Sequence, residues 1–143
     1  MITLIGMGSG TPESLTAQGL AALQNAGLIL GAKRLLEQLP QGCTEHRKAL
    51  YQPEDVLAAL AADPEVDAAL VYSGDTGFYS GAAKLLPLLR TMGYSVRVLP
   101  GLSSVQLLAA AVGRPWQDWK LVSAHGRVCD PVAEVLSHPQ VFF

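Results

Sequence analysis

Three times in this chain a strand pattern, twice an apolar run and once an alternation through Val96 and Val98, ends in a loop of small residues and gives way to a helical pattern. Met1–Ile5 runs into GMGSGTPES, Val66–Tyr72 into SGDTGFYSG, and Tyr94–Leu99 into PGLSS. An apolar strand that hands over to a helix must bring the chain back to the same sheet by a crossover, so repeated strand–loop–helix units build a parallel sheet. The segments between agree. Leu15–Ala26 has Leu20 and Leu23 at helical spacing behind the capping residue Thr16, and Gly27 ends it. Leu28–Leu30 is a short strand, and Ala32–Leu39 a helix closed by Pro40. Gln41–Tyr51 reads as a loop with room for one short strand; Pro53 opens a helix over Glu54–Ala62. Tyr79–Met92 is a helix that Pro87 either kinks or leaves intact near a boundary, and Ser103–Val112 is another. The expected fold is α/β: a mostly parallel sheet with helices on both faces.

The rhythm breaks at RPWQDWK (Arg114–Lys120), where Pro115 and two tryptophans interrupt it. The expected organisation is an N-terminal α/β domain over 1–113, a linker over 114–119, and the beginning of a second α/β domain over 120–143. In that second part Leu121–Ala124 is a strand, Asp130–Ser137 a helix, and QVFF the start of a buried strand. Unpaired apolar strand residues associate readily. This ending therefore implies a domain cut short, or a chain end that packs on a partner.

Composition removes several classes of function. Half of the 143 residues are apolar, mean hydropathy is +0.28 and the formal charge is −2 with both signs scattered. Nothing forms the basic stripe of a nucleic-acid binder. Cys43 and Cys129 stand far apart, in neither a disulfide framework nor metal-ligand spacing. No apolar run reaches membrane-spanning length, and no basic leader precedes the first strand. The expectation is a cytoplasmic protein with no membrane, nucleic-acid or metal partner.

The three loops share the carboxyl ends of strands, where open α/β sheets bind ligands. Gly6, Gly8 and Gly10 form G-x-G-x-G, but Thr11 stands where a dinucleotide fingerprint needs its last glycine, and GAKR follows the second strand instead of an acid. This loop is either a tight strand-to-helix turn or a ligand loop. In SGDTGFYSG, Asp75 either caps its own backbone or meets a ligand. Ser103 and Ser104 of PGLSS either cap the next helix or offer polar groups to a ligand. His125 and Arg127 in SAHGR, and Lys33 and Arg34 after the second strand, are candidate carboxylate binders beside their reading as solvated residues. His46, Arg47 and Lys48 read as a solvated loop. No Ser-His-Asp or Cys-His set and no paired carboxylates point to hydrolysis.

Together, IGMGSGTPESLT, SGDTGFYSGA, LPGLSSVQLLAAAVGRPW and SAHGR, in this order and spacing, resemble the tetrapyrrole methylase family. Within it they most resemble the precorrin C(5,15)-methyltransferases, in their C(5)-methylating part. The resemblance implies two α/β domains that bind S-adenosylmethionine between them, usually as a homodimer. It implies methyl transfer to the meso carbon C(5) of a precorrin or cobalt-precorrin in cobalamin biosynthesis, with a C(15)-methylating decarboxylase fused or separate. Carried over by position, cofactor contacts fall on Ser9, Ser73, Gly74, Asp75, Phe78, Ser103 and Ser104. Lys33, Arg34 and Arg127 become the partners of substrate carboxylates, and His125 the candidate for proton transfer. Some relatives that methylate uroporphyrinogen place an Asp near the end of the second strand, where this chain has Gly31-Ala32-Lys33-Arg34. The alternatives are a non-catalytic or incomplete fragment that binds S-adenosylmethionine or tetrapyrrole, and a member methylating another precorrin position.

Overall fold

A computed structural model describes residues 1–124 and 128–143. They fall into two compact units, Met1–Ser103 and Ser104–Phe143. The 114–119 segment thus lies inside the second unit.

The first unit holds five strands, β1 (Ile2–Gly6), β2 (Leu28–Gly31), β3 (Arg47–Lys48), β4 (Ala68–Tyr72) and β5 (Val96–Leu99). They form one sheet in the order β3-β2-β4-β1-β5, and every pairing in it is parallel. Four helices accompany it: α1 (Ala17–Asn25), α2 (Lys33–Leu36), α3 (Pro53–Ala61) and α4 (Ala82–Thr91). The local signals act as the sequence suggests. Thr16 caps α1, its Oγ1 accepting from the Gly19 amide at 3.0 Å. Pro53 opens α3, with Glu54 and Asp55 at the positive end of the helix dipole. Pro87 lies on the exposed side of α4, and the helix runs through it.

Boundaries differ where backbone conformation intervenes. The helix expected from Tyr79 starts only at Ala82, because Tyr79 itself has φ 50° and cannot continue a right-handed helix. The helix expected over Ala32–Leu39 shortens to α2, with Glu37 as its C-cap.

Successive strand residues point to opposite faces, and both faces are covered. Leu4, Leu30 and Leu70 pack with Val56 and Leu60 of α3 and Leu85 and Leu89 of α4. Ile5, Ile29, Ala69 and Val71 pack with Leu23 of α1 and Leu35 and Leu36 of α2. Two-sided burial explains why these strands read as unbroken apolar runs rather than as alternating patterns. Fully burying each Leu or Ile side chain contributes about 1.5–3 kcal/mol.

The second unit contains α5 (Ser104–Val112), β6 (Lys120–Leu121), α6 (Pro131–Ser137) and β7 (Val141–Phe142). β6 and β7 pair in parallel, Lys120 opposite Val141 and Leu121 opposite Phe142. Asp130 caps α6, its Oδ1 accepting from the amides of Val132 and Ala133 at 3.0 and 3.2 Å. Lys120 pairs with Glu134 of α6, and the Trp119 ring stacks on Phe142 with centroids 6.5 Å apart.

Candidate functional site

The strand order creates the site. β1 and β4 are neighbours, yet β1 continues into α1 on one face and β4 into α4 on the other. Connections that part to opposite faces open a crevice outside the carboxyl ends of the two strands. The first loop leaves β1 there, the second leaves β4, and the third, Pro100–Ser103, leaves β5 on the other side of β1.

The first two loops are stitched together. The ladder runs one step beyond β1, with the Met7 amide donating to the Tyr72 carbonyl at 2.8 Å. Gly8 and Gly74 then form an antiparallel bridge: Gly8 N donates to Gly74 O at 3.1 Å, and Gly74 N to Gly8 O at 2.8 Å. Both glycines are left-handed, with φ 61° and 68°, which explains the residue type at each. Beyond the bridge, the buried Ser14 hydroxyl bonds back to Met7 O at 3.0 Å and Thr11 O at 2.8 Å. The exposed Ser9 donates to Ser14 Oγ at 3.1 Å. Pro12–Ser14 forms one 3-10 turn before α1 begins at Ala17. The α1 amino terminus therefore does not open at the glycine turn, as a dinucleotide phosphate site requires.

The second loop also reaches the third. Asp75 Oδ1 accepts from the Gly101 amide at 3.0 Å, while Oδ2 accepts from the Gly77 amide at 2.7 Å. The buried Thr76 hydroxyl donates to the Leu99 carbonyl at 3.3 Å. Gly6 lies between: a Cβ there would fall 2.6 Å from Gly101 N and 2.7 Å from Gly74 O. Three glycines from three loops thus meet backbone to backbone.

Of the residues proposed for the cofactor, Ser9, Ser73, Gly74, Asp75, Phe78 and Ser103 all lie in these three loops. Ser73 is exposed, Phe78 is half-buried with its ring edge-on to Tyr79 at 4.9 Å, and Ser103 is buried. Ser104 begins α5 in the second unit. Lys33 and Arg34 are exposed just beyond β2, the strand beside β4, and among the described residues Lys33 makes only a solvent-exposed pair with Glu37 at 3.9 Å. Such a pair contributes a few tenths of a kcal/mol at most and leaves the ammonium available. His125 and Arg127 lie outside the described residues. Tyr72, closing β4, has its phenol pushed up to about 12 by burial.

Gly101 and Thr76 are the residues that sequence reasoning missed, while Gly6 was read only as part of its own glycine loop. The Asp-Thr pair was a signal for Thr76, since both side chains can bond backbone. Nothing local marked Gly6 and Gly101 as partners.

The family model for tetrapyrrole (corrin/porphyrin) methylases matches residues 1–140. A cobalt-precorrin-7 C(5)-methyltransferase of Salmonella typhimurium is 31% identical over 141 residues, which cover 99% of this chain and 69% of the relative. A probable cobalt-precorrin-7 C(5)-methyltransferase of Methanocaldococcus jannaschii is 28% identical over 137 residues, covering 89% of this chain and 61% of the relative. The solved structure of the precorrin-6Y methylase CbiE from Archaeoglobus fulgidus superposes with a TM-score of 0.69 at 22% identity, covering 96% of this chain and 69% of that one. The chain thus spans from 61% to 69% of the length of these relatives.

Proposed function

The chain belongs to the tetrapyrrole (corrin/porphyrin) methylase family, and from that premise we propose that it acts in S-adenosylmethionine-dependent methylation of the meso carbon C(5) of a precorrin in cobalamin biosynthesis. The observation that carries this reading is the convergence of three small-residue loops at the crevice between β1 and β4, tied by the Gly8–Gly74 bridge and the Asp75–Gly101 bond. The likeness to two C(5)-methyltransferases supports the choice of carbon.

The residues present fit the cofactor. Gly74, whose Cβ position has no neighbour nearer than the Leu102 carbonyl at 3.9 Å, leaves main chain open to close approach by a ligand. The exposed residues Ser9 and Ser73 lie in the loops at the crevice, and the half-buried Phe78 lies in the second of these loops. S-adenosylmethionine supplies an electrophilic sulfonium methyl to an electron-rich carbon of the reduced macrocycle. The protein's work is alignment: in this reading Ser9, Ser73, Gly74 and Ser103 hold the donor, with Phe78 against its apolar part. Such positioning can contribute several kcal/mol, up to about 7–11 in ideal cases. Lys33 and Arg34 meet acetate and propionate groups of the substrate, and Arg127 is a further candidate partner for such groups. His125 is the proposed proton carrier.

The test is incubation of the protein with labelled S-adenosylmethionine and a panel of precorrins, with and without cobalt. Label transferred to C(5) supports the reading. Transfer to another carbon keeps the family reaction but refutes the position. Saturable binding with no transfer under any condition favours the non-catalytic alternative.

A further inference from the structure

We infer that the dipeptide Asp75-Thr76 is a latch that sets the position of the third loop, and that Asp75 is a positioning residue rather than a ligand contact. Among the described residues β5 is an edge strand, paired only with β1. The loop that follows it leaves the sheet at that edge. The second loop leaves β4, two places away, and must cross the end of β1 to reach it. Gly6 makes that crossing possible, because any side chain there would strike Gly74 O and Gly101 N.

Having crossed, the two adjacent side chains grip the peptide groups on either side of Pro100. Thr76 Oγ1 gives its proton to the Leu99 carbonyl at 3.3 Å, and Asp75 Oδ1 takes the Gly101 N–H at 3.0 Å. Pro100 itself has no N–H to contribute. The remaining Asp75 oxygen is engaged by Gly77 N at 2.7 Å, which fixes the carboxylate's own orientation. One loop thus holds both flanks of the other with a donor and an acceptor. Ser103, two residues beyond Gly101, takes its place at the crevice from this grip.

The role in cofactor binding rests on the reading of the crevice given above; the latch itself does not, and the experiment separates them. Amide hydrogen exchange at Gly101 and Gly77 is measured in the intact chain, in Asp75→Asn, Asp75→Ala and Thr76→Val, alongside the S-adenosylmethionine dissociation constant and the urea midpoint. Loss of a hydrogen bond to a charged group corresponds to about a tenfold to hundredfold change. Asp75→Ala is expected to speed Gly101 exchange by that factor and to weaken cofactor binding in parallel. Asp75→Asn, whose amide can accept at only one of two atoms, and Thr76→Val, which removes the hydroxyl, fall between Asp75→Ala and the unaltered chain and guard against a variant that does not fold. Unchanged Gly101 exchange in folded Asp75→Ala overturns the latch. Weakened binding with Gly101 still protected also overturns it, by making Asp75 a direct contact. If the unaltered chain binds no S-adenosylmethionine, the functional reading falls while faster Gly101 exchange in the variants still supports the latch.

Discussion

Gly6 and Gly101 lie so close that a Cβ on Gly6 would stand 2.6 Å from the Gly101 nitrogen. The obstacle is backbone on both sides and cannot rotate away. Gly6→Ala and Gly101→Ala are each expected to destabilise the fold by about 1–3 kcal/mol, as overpacked sites do. They should also lower S-adenosylmethionine affinity, because relief of the clash pushes the loops apart. Urea midpoints with calorimetric titration check both effects.

Gly81 is the contrasting case. Its φ of −60° suits any residue, and an added Cβ would meet only the Tyr72 ring at 3.4 Å. Gly81→Ala is expected to leave ligand binding unchanged and to raise stability by up to about 1 kcal/mol, through a less flexible unfolded chain. A lowered urea midpoint would contradict the helix-entry geometry assigned here.

Tyr72 makes stability depend on alkaline pH. Burial disfavours its phenolate, so the folded pKa is raised to about 12 from 10.0. The neutral form is the one the fold accommodates. Its contribution is therefore whole below pH 10 and drains away as pH rises through 12. The loss is on the order of 1–2 kcal/mol, since water reaches part of the ring. The difference in urea midpoint between Tyr72→Phe and the unaltered chain should shift in favour of the variant across this window, and should be flat between pH 7 and 9.

Lys33 and Arg34, exposed beyond β2, carry the proposed contact with substrate carboxylates. Lys33→Glu and Arg34→Glu are each expected to lower kcat/KM for a precorrin by about tenfold to a hundredfold. Dissociation of S-adenosylmethionine should be unaffected. Added salt should shrink the difference, since exposed charges are screened. Equal kcat/KM at low salt would remove these residues from the substrate site.

Thr16 holds the first turn of α1 through the Gly19 amide. Thr16→Ala is expected to cost about 1 kcal/mol in the urea midpoint, and Thr16→Ser to restore most of it.

The alternation of strand and helix, and the sharing of one sheet end by all three loops, were determined by the sequence by itself. The reason is local: apolar runs, caps and turn residues act over a few neighbours, and parallel strands joined by helices must end on the same side. Asp75 was legible as a turn residue through its bond to Gly77, two positions away. Its second oxygen was not, because the Gly101 partner is 26 positions distant. That bond exists only because β1 lies between β4 and β5. Lateral strand order is decided by how two faces of helices pack on the whole sheet, not by any single segment. For the same reason Gly6, Gly74 and Gly101 read in the chain as three separate turns. Only the tertiary structure made them one contact, where main chain from three loops meets and Gly6 and Gly101 have no space for a side chain.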